Sequence, residues 1–201
     1  MDKKTQESVR KYNKIAVEYD DTFDGKFTRC LKNEIVRVIR LDDSNKVLDV
    51  VCGNGTLLKL INDKIQVQAY GVDISDNMIK EAKRKYPEMQ FVTTNSALLP
   101  FQDNSFDAVT VCAAFHHFTE PDKFLKEAKR VLKPGGYIYI ADPYFPLLIR
   151  QFAKIIFPLL KMGDVKIYNK RELNNFLNSH GFLDVSVNRF GTYGFMAIGK
   201  K

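Results

Sequence analysis

Apolar runs of strand length alternate with segments of helical period along most of this chain, and that alternation limits the fold more than any other feature. The runs are KVLDVV (46–51), VQAYGVDIS (67–75), MQFVTT (89–94), FDAVTVCAA (106–114) and YIYIAD (137–142). Between them lie helical segments at 56–64, from Ser75 to Tyr86, and from Pro121 to Leu132. Ser75 is placed to cap the second of these, and Pro87 ends it. Two further helices are predicted ahead of the first strand, over 5–20 and 26–40, and another over Lys170–Ser179, stopped by Gly181. LDVSVNR and TYGFMAIGK then read as a closing antiparallel hairpin. Strand–helix alternation of this kind gives an α/β fold with a largely parallel sheet. Ligands of such sheets bind at the carboxyl ends of the strands, near a switch in strand order. Functional residues are therefore expected just after residues 51, 73, 93, 112 and 141.

The first strand carries a second constraint. Asp49 sits inside a run of buried type, where a carboxylate is costly unless something hydrogen-bonds it. The strand stops at CGNG, and a helix opens near Thr56. Gly53 and Gly55 permit a tight turn in which backbone amides face a ligand, at the positive end of the helix dipole. A dinucleotide fingerprint would require glycine where Leu58 stands, and no Gly-Lys-Ser/Thr follows to make a P-loop. Asp73 closes the second strand about twenty residues later, where an acid accepts hydrogen bonds from ribose hydroxyls. Loop and acid together point to a nucleoside-bearing ligand. The plainer alternative is an ordinary βα turn beside an exposed aspartate.

VLDVVCGNG, YGVDIS, NSALLPFQDNSFDAVTVCAAFHHF and EAKRVLKPGGYIYIAD together resemble the class I S-adenosylmethionine-dependent methyltransferases. The similarity is to the branch of ubiquinone and menaquinone biosynthesis methyltransferases, and YNKIAVEYD at 12–20 fits that branch too. The resemblance implies a Rossmann-like, seven-stranded, mostly parallel sheet with helices on both faces and a C-terminal antiparallel hairpin. It implies S-adenosylmethionine as cofactor, leaving as S-adenosylhomocysteine. By position it gives Asp49 the ordering of the glycine loop and a reach to the cofactor's amino group. Cys52, Gly53 and Gly55 would line the methionine portion, with Asn54 in the same loop. Asp73 would hold the ribose, Ile74 and Met78 the adenine face, and Asn95, Ser96 and Ala97 the adenine edge. Ala113 would pass the sulfonium, and Tyr12 and Tyr19 would cover the cofactor. Two positions depart from the family pattern: Val51 stands where glycine is usual, and Asn95 where aspartate is usual.

Methyl transfer depends mainly on holding two reactants in line, with a base needed only if the acceptor must lose a proton. His116 and His117 follow the fourth strand and are the base candidates, and Asp142 at the end of the fifth could orient an amine or hydroxyl. The alternatives are a histidine packed on its loop and a turn aspartate before Pro143. No ligand spacing diagnostic of a metal is present. His180 beside Gly181 reads more simply as a helix-end residue.

The organisation expected is one methyltransferase domain over 1–201: a helical cap (1–45), a cofactor-binding core (46–142), a lid or substrate segment (143–169), and a C-terminal helix with strands (170–201). DPYFPLLIRQFAKIIFPLLKMGD admits three readings: a core helix, a lid over an apolar pocket, or a helix touching a membrane surface. Its charges and prolines interrupt any membrane span. A small apolar or aromatic acceptor follows from the lid reading and the resembled branch. The net charge of +7 motivates a second reading, an RNA or protein acceptor. Basic residues are scattered on most helices, however, and no RNA-binding module is appended. A third reading is a cofactor-binding module without transfer activity, motivated by Val51. A nicotinamide dehydrogenase is disfavoured by Leu58. Cys30, Cys52 and Cys112 are odd in number and far apart, which fits a reducing cytoplasm, and the first twenty residues lack a signal-peptide core.

Overall fold

The computed structural model describes residues 3–144, 166 and 168–201. One seven-stranded sheet organises them, in the order β3-β2-β1-β4-β5-β7-β6. The strands are β1 (Lys46–Val50), β2 (Gln68–Asp73), β3 (Gln90–Thr93), β4 (Phe106–Cys112), β5 (Leu132–Pro143), β6 (Leu183–Phe190) and β7 (Gly194–Lys200). Strands β1 to β5 pair in parallel, and β7 runs antiparallel to both β5 and β6. The chain moves outward from β1 to β3, then returns to place β4 on the other side of β1. That reversal is the switch point where an open parallel sheet leaves a crevice.

The helices are α1 (Lys3–Ile15), α2 (Phe23–Val38), α3 (Thr56–Lys64), α4 (Asp76–Lys85), α5 (Pro121–Val131) and α6 (Lys170–Ser179). Leu31 and Ile35 of α2, Leu57 and Ile61 of α3, and Ile79 and Ala82 of α4 bury against one face of the sheet, with Val47, Ala108 and Tyr139. Phe124, Leu125 and Ala128 of α5 and Leu173 and Leu177 of α6 bury against the other, with Leu48, Val50, Val109 and Ile140. Alternation along β1 therefore turns Asp49 toward α2 and α3. The expected fold class holds in each part: seven strands, mostly parallel, helices on both faces and an antiparallel closing hairpin.

Local signals explain most boundaries. Ser75 caps α4 by accepting from the Met78 amide, and Asn169 and Glu172 form a reciprocal capping box on α6. His180 is the C-cap residue of α6. Some boundaries differ from the sequence expectation; α2, expected over 26–40, spans Phe23–Val38. The first helix ends at Ile15, and the chain re-forms as a single 3₁₀ turn at Tyr19–Asp21 before α2. KPGG, expected as a free turn, is absorbed into β5, where the pairing with β4 shifts between Phe106 and Ala108. The proposed lid or substrate segment lies almost entirely outside the described residues. Among those described, no helix is long and apolar enough to cross a membrane.

Candidate functional site

A cleft opens over the carboxyl ends of β1, β2 and β4, at the switch point. Its floor is Val50 of β1 with Val51 just after it, Val72 and Asp73 of β2, and Cys112 of β4 with Ala113 just after it. Gly53, Ile74, Met78, Asn95, Ser96 and His117 also line it, and Tyr12 and Tyr19 wall it from the N-terminal side. Asp49, Cys52, Asn54, Gly55, Ala97, His116 and Asp142 are not part of this lining. The sequence reading missed Thr5, Ser8, Val9, Thr94 and Thr119 in the lining, and Val51, noted there as a departure from the family pattern, lies on the floor.

Asp73 is the organising side chain. It is buried, its Oδ2 accepts the Gly53 amide at 2.9 Å, and its Oδ1 accepts the Ser75 amide at 2.8 Å. Burial raises its pKa, and the Ser75, Gly53 and Ile74 amides oppose that rise. The carboxylate keeps acceptor capacity beyond these amides, so it can shape the glycine loop and still accept from a ribose hydroxyl. Gly55 is fixed by its neighbours. It caps α3 at φ +82°, and a Cβ there would lie 2.9 Å from Phe91 Cζ.

Two non-glycine residues of the floor are held in the left-handed region, Val51 at φ 62° and Ala113 at φ 54°. For a β-branched residue this is a genuine outlier, and such strain concentrates at ligand sites. It explains in backbone terms why glycine would suit position 51. The Ala113 amide donates to the Ala141 carbonyl at 2.7 Å, which anchors the bend after β4.

The question posed by Asp49 is answered across the sheet. Thr110 of β4 donates to Asp49 Oδ1 at 2.7 Å, and both side chains are buried. Burial still pushes the Asp49 carboxyl up to about 7, against the Thr110 bond and the Lys32 charge, with Asp73 adding to the rise. Burial likewise raises the Tyr19 phenol to about 12, against a hydrogen bond with Thr28. The Cys112 thiol is raised well above its usual value, mainly by burial, so no thiolate nucleophile faces the cleft. Asn95 exposes its side chain at the cleft edge, with Oδ1 accepting the Ala97 amide at 2.9 Å. The two histidines part company. His117 lines the cleft. His116 turns to Asp142, whose Oδ2 accepts its backbone amide at 2.9 Å and lies 3.0 Å from its Nδ1. Nδ1–H is the tautomer that contact selects. Asp142 Oδ1 is buried and has no hydrogen-bond partner among the described residues. Among those residues, no group of three or more His, Cys, Asp or Glu is arranged to hold a metal ion.

Residues 48–140 match the family model described as a methyltransferase domain. The chain is 33% identical over 173 residues to a demethylmenaquinone methyltransferase of Paenarthrobacter aurescens, covering 83% of this chain and 68% of that protein. It is 35% identical over 146 residues to the demethylmenaquinone methyltransferase of Renibacterium salmoninarum, covering 71% of this chain and 61% of that one. A solved chain from the complex between the Haloferax volcanii Trm112 methyltransferase activator and a methyltransferase superposes with a TM-score of 0.79 at 21% identity, covering 94% of this chain and 96% of that chain. At that identity the superposition shows the fold. The chain belongs to the class I S-adenosylmethionine-dependent methyltransferases. Within that class it is similar to the demethylmenaquinone and ubiquinone/menaquinone biosynthesis methyltransferases.

Proposed function

We propose that the chain binds S-adenosylmethionine in the switch-point cleft and methylates a small apolar or aromatic acceptor. The observation that carries this reading is the Asp73 carboxylate, set at the tip of β2 with acceptor capacity to spare and tied to the glycine loop it faces. The donor set fits the cofactor in kind. Asp73 suits the ribose hydroxyls, Ile74 and Met78 offer an apolar shelf for adenine, and Asn95 and Ser96 stand at its edge. Asp49 acts from behind the loop, where its charge can favour the cofactor's ammonium group. Cys52, Asn54, Gly55 and Ala97 hold the shape of the lining.

When bound, the cofactor supplies a methyl group on cationic sulfur; attack by the acceptor in line with the C–S bond leaves the sulfur neutral, as S-adenosylhomocysteine. The protein's share is chiefly orientation and exclusion of water. The rings of Tyr12 and Tyr19, 6.2 Å apart and edge to face, give the aromatic wall a sulfonium prefers. His117 faces the cleft and takes the acceptor's proton when the acceptor carries one. His116 and Asp142 set the turn that presents it, their ring and carboxylate locked together beneath it. An acceptor related to demethylmenaquinol is favoured by the relatives' own names. Three unpaired thiols suit a cytoplasmic setting.

The test is single-turnover transfer from labelled cofactor to a short-chain demethylmenaquinol. Labelled product is expected from the unaltered protein, and its absence with that acceptor and with other small aromatic acceptors would remove the reading.

A further inference from the structure

Asp20, on the 3₁₀ turn between α1 and α2 and next to Tyr19 of the cleft wall, is a heavily engaged side chain. Its Oδ2 accepts from Asn54 Nδ2 at 2.8 Å and from Lys85 Nζ at 2.6 Å. The Thr56 hydroxyl sits 3.1 Å from its Oδ1, and Lys32 Nζ lies 4.0 Å away. These partners belong to the glycine loop, α4, α3 and α2. One carboxylate of the N-terminal segment thus meets the glycine loop and three helices. Burial works to raise its pKa, and the Lys85 hydrogen bond, the Lys85 and Lys32 charges and Asn54 together hold it below the usual range.

The rest of the segment is held more by polar and aromatic contacts than by buried aliphatic side chains. Among residues 5–21, Ala16 alone is buried, and Val17 is 74% exposed. Hydrophobic burial therefore does little to fix α1 to the body of the protein. Its ties include polar ones: Asn13 Oδ1 accepts from the Ser75 hydroxyl at 2.7 Å, its carbonyl accepts from Asn77 Nδ2 at 3.0 Å, and Lys11 Nζ donates to Asp24 Oδ2 at 2.7 Å. Yet this segment supplies one whole wall of the cleft, including Tyr12 and Tyr19. Gly25 permits the close fit, because a Cβ there would collide with the Tyr19 carbonyl oxygen.

We propose that Asp20 is the positioning residue of a polar latch, closing residues 3–21 over the bound cofactor and opening them to admit S-adenosylmethionine and release S-adenosylhomocysteine. The proposal rests on the cleft being the cofactor site. A latch of partly exposed polar contacts suits this task. Each contact is individually weak and exchanges readily with water, whereas an apolar seam would have to be exposed at each opening. Asp20 touches Asn54 and Thr56 on the loop whose Gly53 amide Asp73 accepts, so closure and loop shape are mechanically joined.

The experiment combines stopped-flow dissociation of S-adenosylhomocysteine with hydrogen–deuterium exchange of the full chain, for the unaltered protein, Asp20→Ala, Lys85→Met and Asp73→Ala. Asp20→Ala is expected to speed dissociation about tenfold, the loss of hydrogen bonds to a charged group expressed chiefly in the off-rate. Lys85→Met is expected to show a smaller change of the same sign. Exchange in residues 3–21 should rise in both, while exchange in β1 and β4 stays unchanged. Dissociation and segment exchange within twofold of the unaltered protein would overturn the latch, as would exchange that rises equally throughout the sheet. Should Asp20→Ala fail to fold, Gly25→Ala displaces the same turn without removing charge and must give the same local pattern; an unchanged off-rate there overturns the proposal too. If Asp73→Ala abolishes binding and Asp20→Ala leaves the kinetics alone, the latch falls and the site stands. If the unaltered protein does not bind at all, the site itself falls.

Discussion

Asp73 Oδ2 accepts the backbone amide of Gly53 at 2.9 Å, so the acid at the tip of β2 and the loop after β1 form one unit. Neither is a free-standing ligand group. The loop's amide is spent on the carboxylate, which lines the cleft and keeps acceptor capacity beyond its amide bonds.

Replacing Asp73 with alanine should therefore do two kinds of damage. It removes the acceptor for the ribose and lets the Gly53 turn relax. Losing a charged hydrogen-bond acceptor costs about 1.5–3 kcal/mol, or roughly 10–150-fold in affinity. Asp73→Asn, which keeps one acceptor oxygen, should fall between. Calorimetry with S-adenosylhomocysteine checks both, and equal affinities for all three proteins would contradict the unit.

Asp49 gives a stability test with a definite sign. Its folded pKa of about 7 lies above its ordinary value of 3.8, so it favours the folded state at low pH and that contribution is lost as pH rises through about 7. Asp49→Asn keeps an acceptor for Thr110 and never ionises. Its Tm relative to the unaltered protein should rise between about pH 4 and pH 7 and level off above, as read by thermal melts across that range. A constant difference would mean that the carboxyl is not held above its normal range.

Val51 tests the strain at the floor. A left-handed conformation costs a non-glycine residue about 1–2 kcal/mol. Val51→Gly relieves that strain, loses some apolar contact and adds backbone freedom to the unfolded chain. The terms nearly cancel, and denaturant unfolding should show a change within about 1 kcal/mol. Val50→Gly, on a regular strand with a fully buried side chain, should cost several times more.

His117 and His116 should separate in kinetics. If the acceptor carries a proton, His117→Ala lowers kcat by roughly 10²–10⁴, the usual range for a general base, with cofactor affinity little changed. His116→Ala and Asp142→Asn should act more weakly, through the turn, and shift the pH profile less. Equal losses in all three would place the base elsewhere.

Much of the architecture was legible because its signals are local. Alternating apolar periods gave the parallel core, and Ser75, Pro87 and Gly181 marked helix ends through short-range chemistry. What stayed hidden depends on partners distant in sequence. The burial of Asp49 makes sense only beside Thr110, which strand order brings next to it from 61 positions away. The stop of α1 at Ile15 has no glycine or proline behind it, and the turn that follows places Asp20 on Asn54 and Lys85. KPGG carries turn chemistry and keeps it, with Gly135 at φ 82°, but it falls inside β5 because β4 pairs with Leu132 before it and Tyr137 after it. At the site, the residues that line the cleft share one motif with residues that do not. Only the fold separates Gly53 from Asn54, or His117 from His116.

The most direct measurement is a crystal structure of the protein with S-adenosylhomocysteine. The expected result is the nucleoside lying over β1 and β2, its ribose hydroxyls within hydrogen-bond distance of Asp73 and its sulfur beside Ala113 and the Tyr12–Tyr19 wall. Ligand bound elsewhere, or a cleft left empty under saturating ligand, would contradict the assignment of this site.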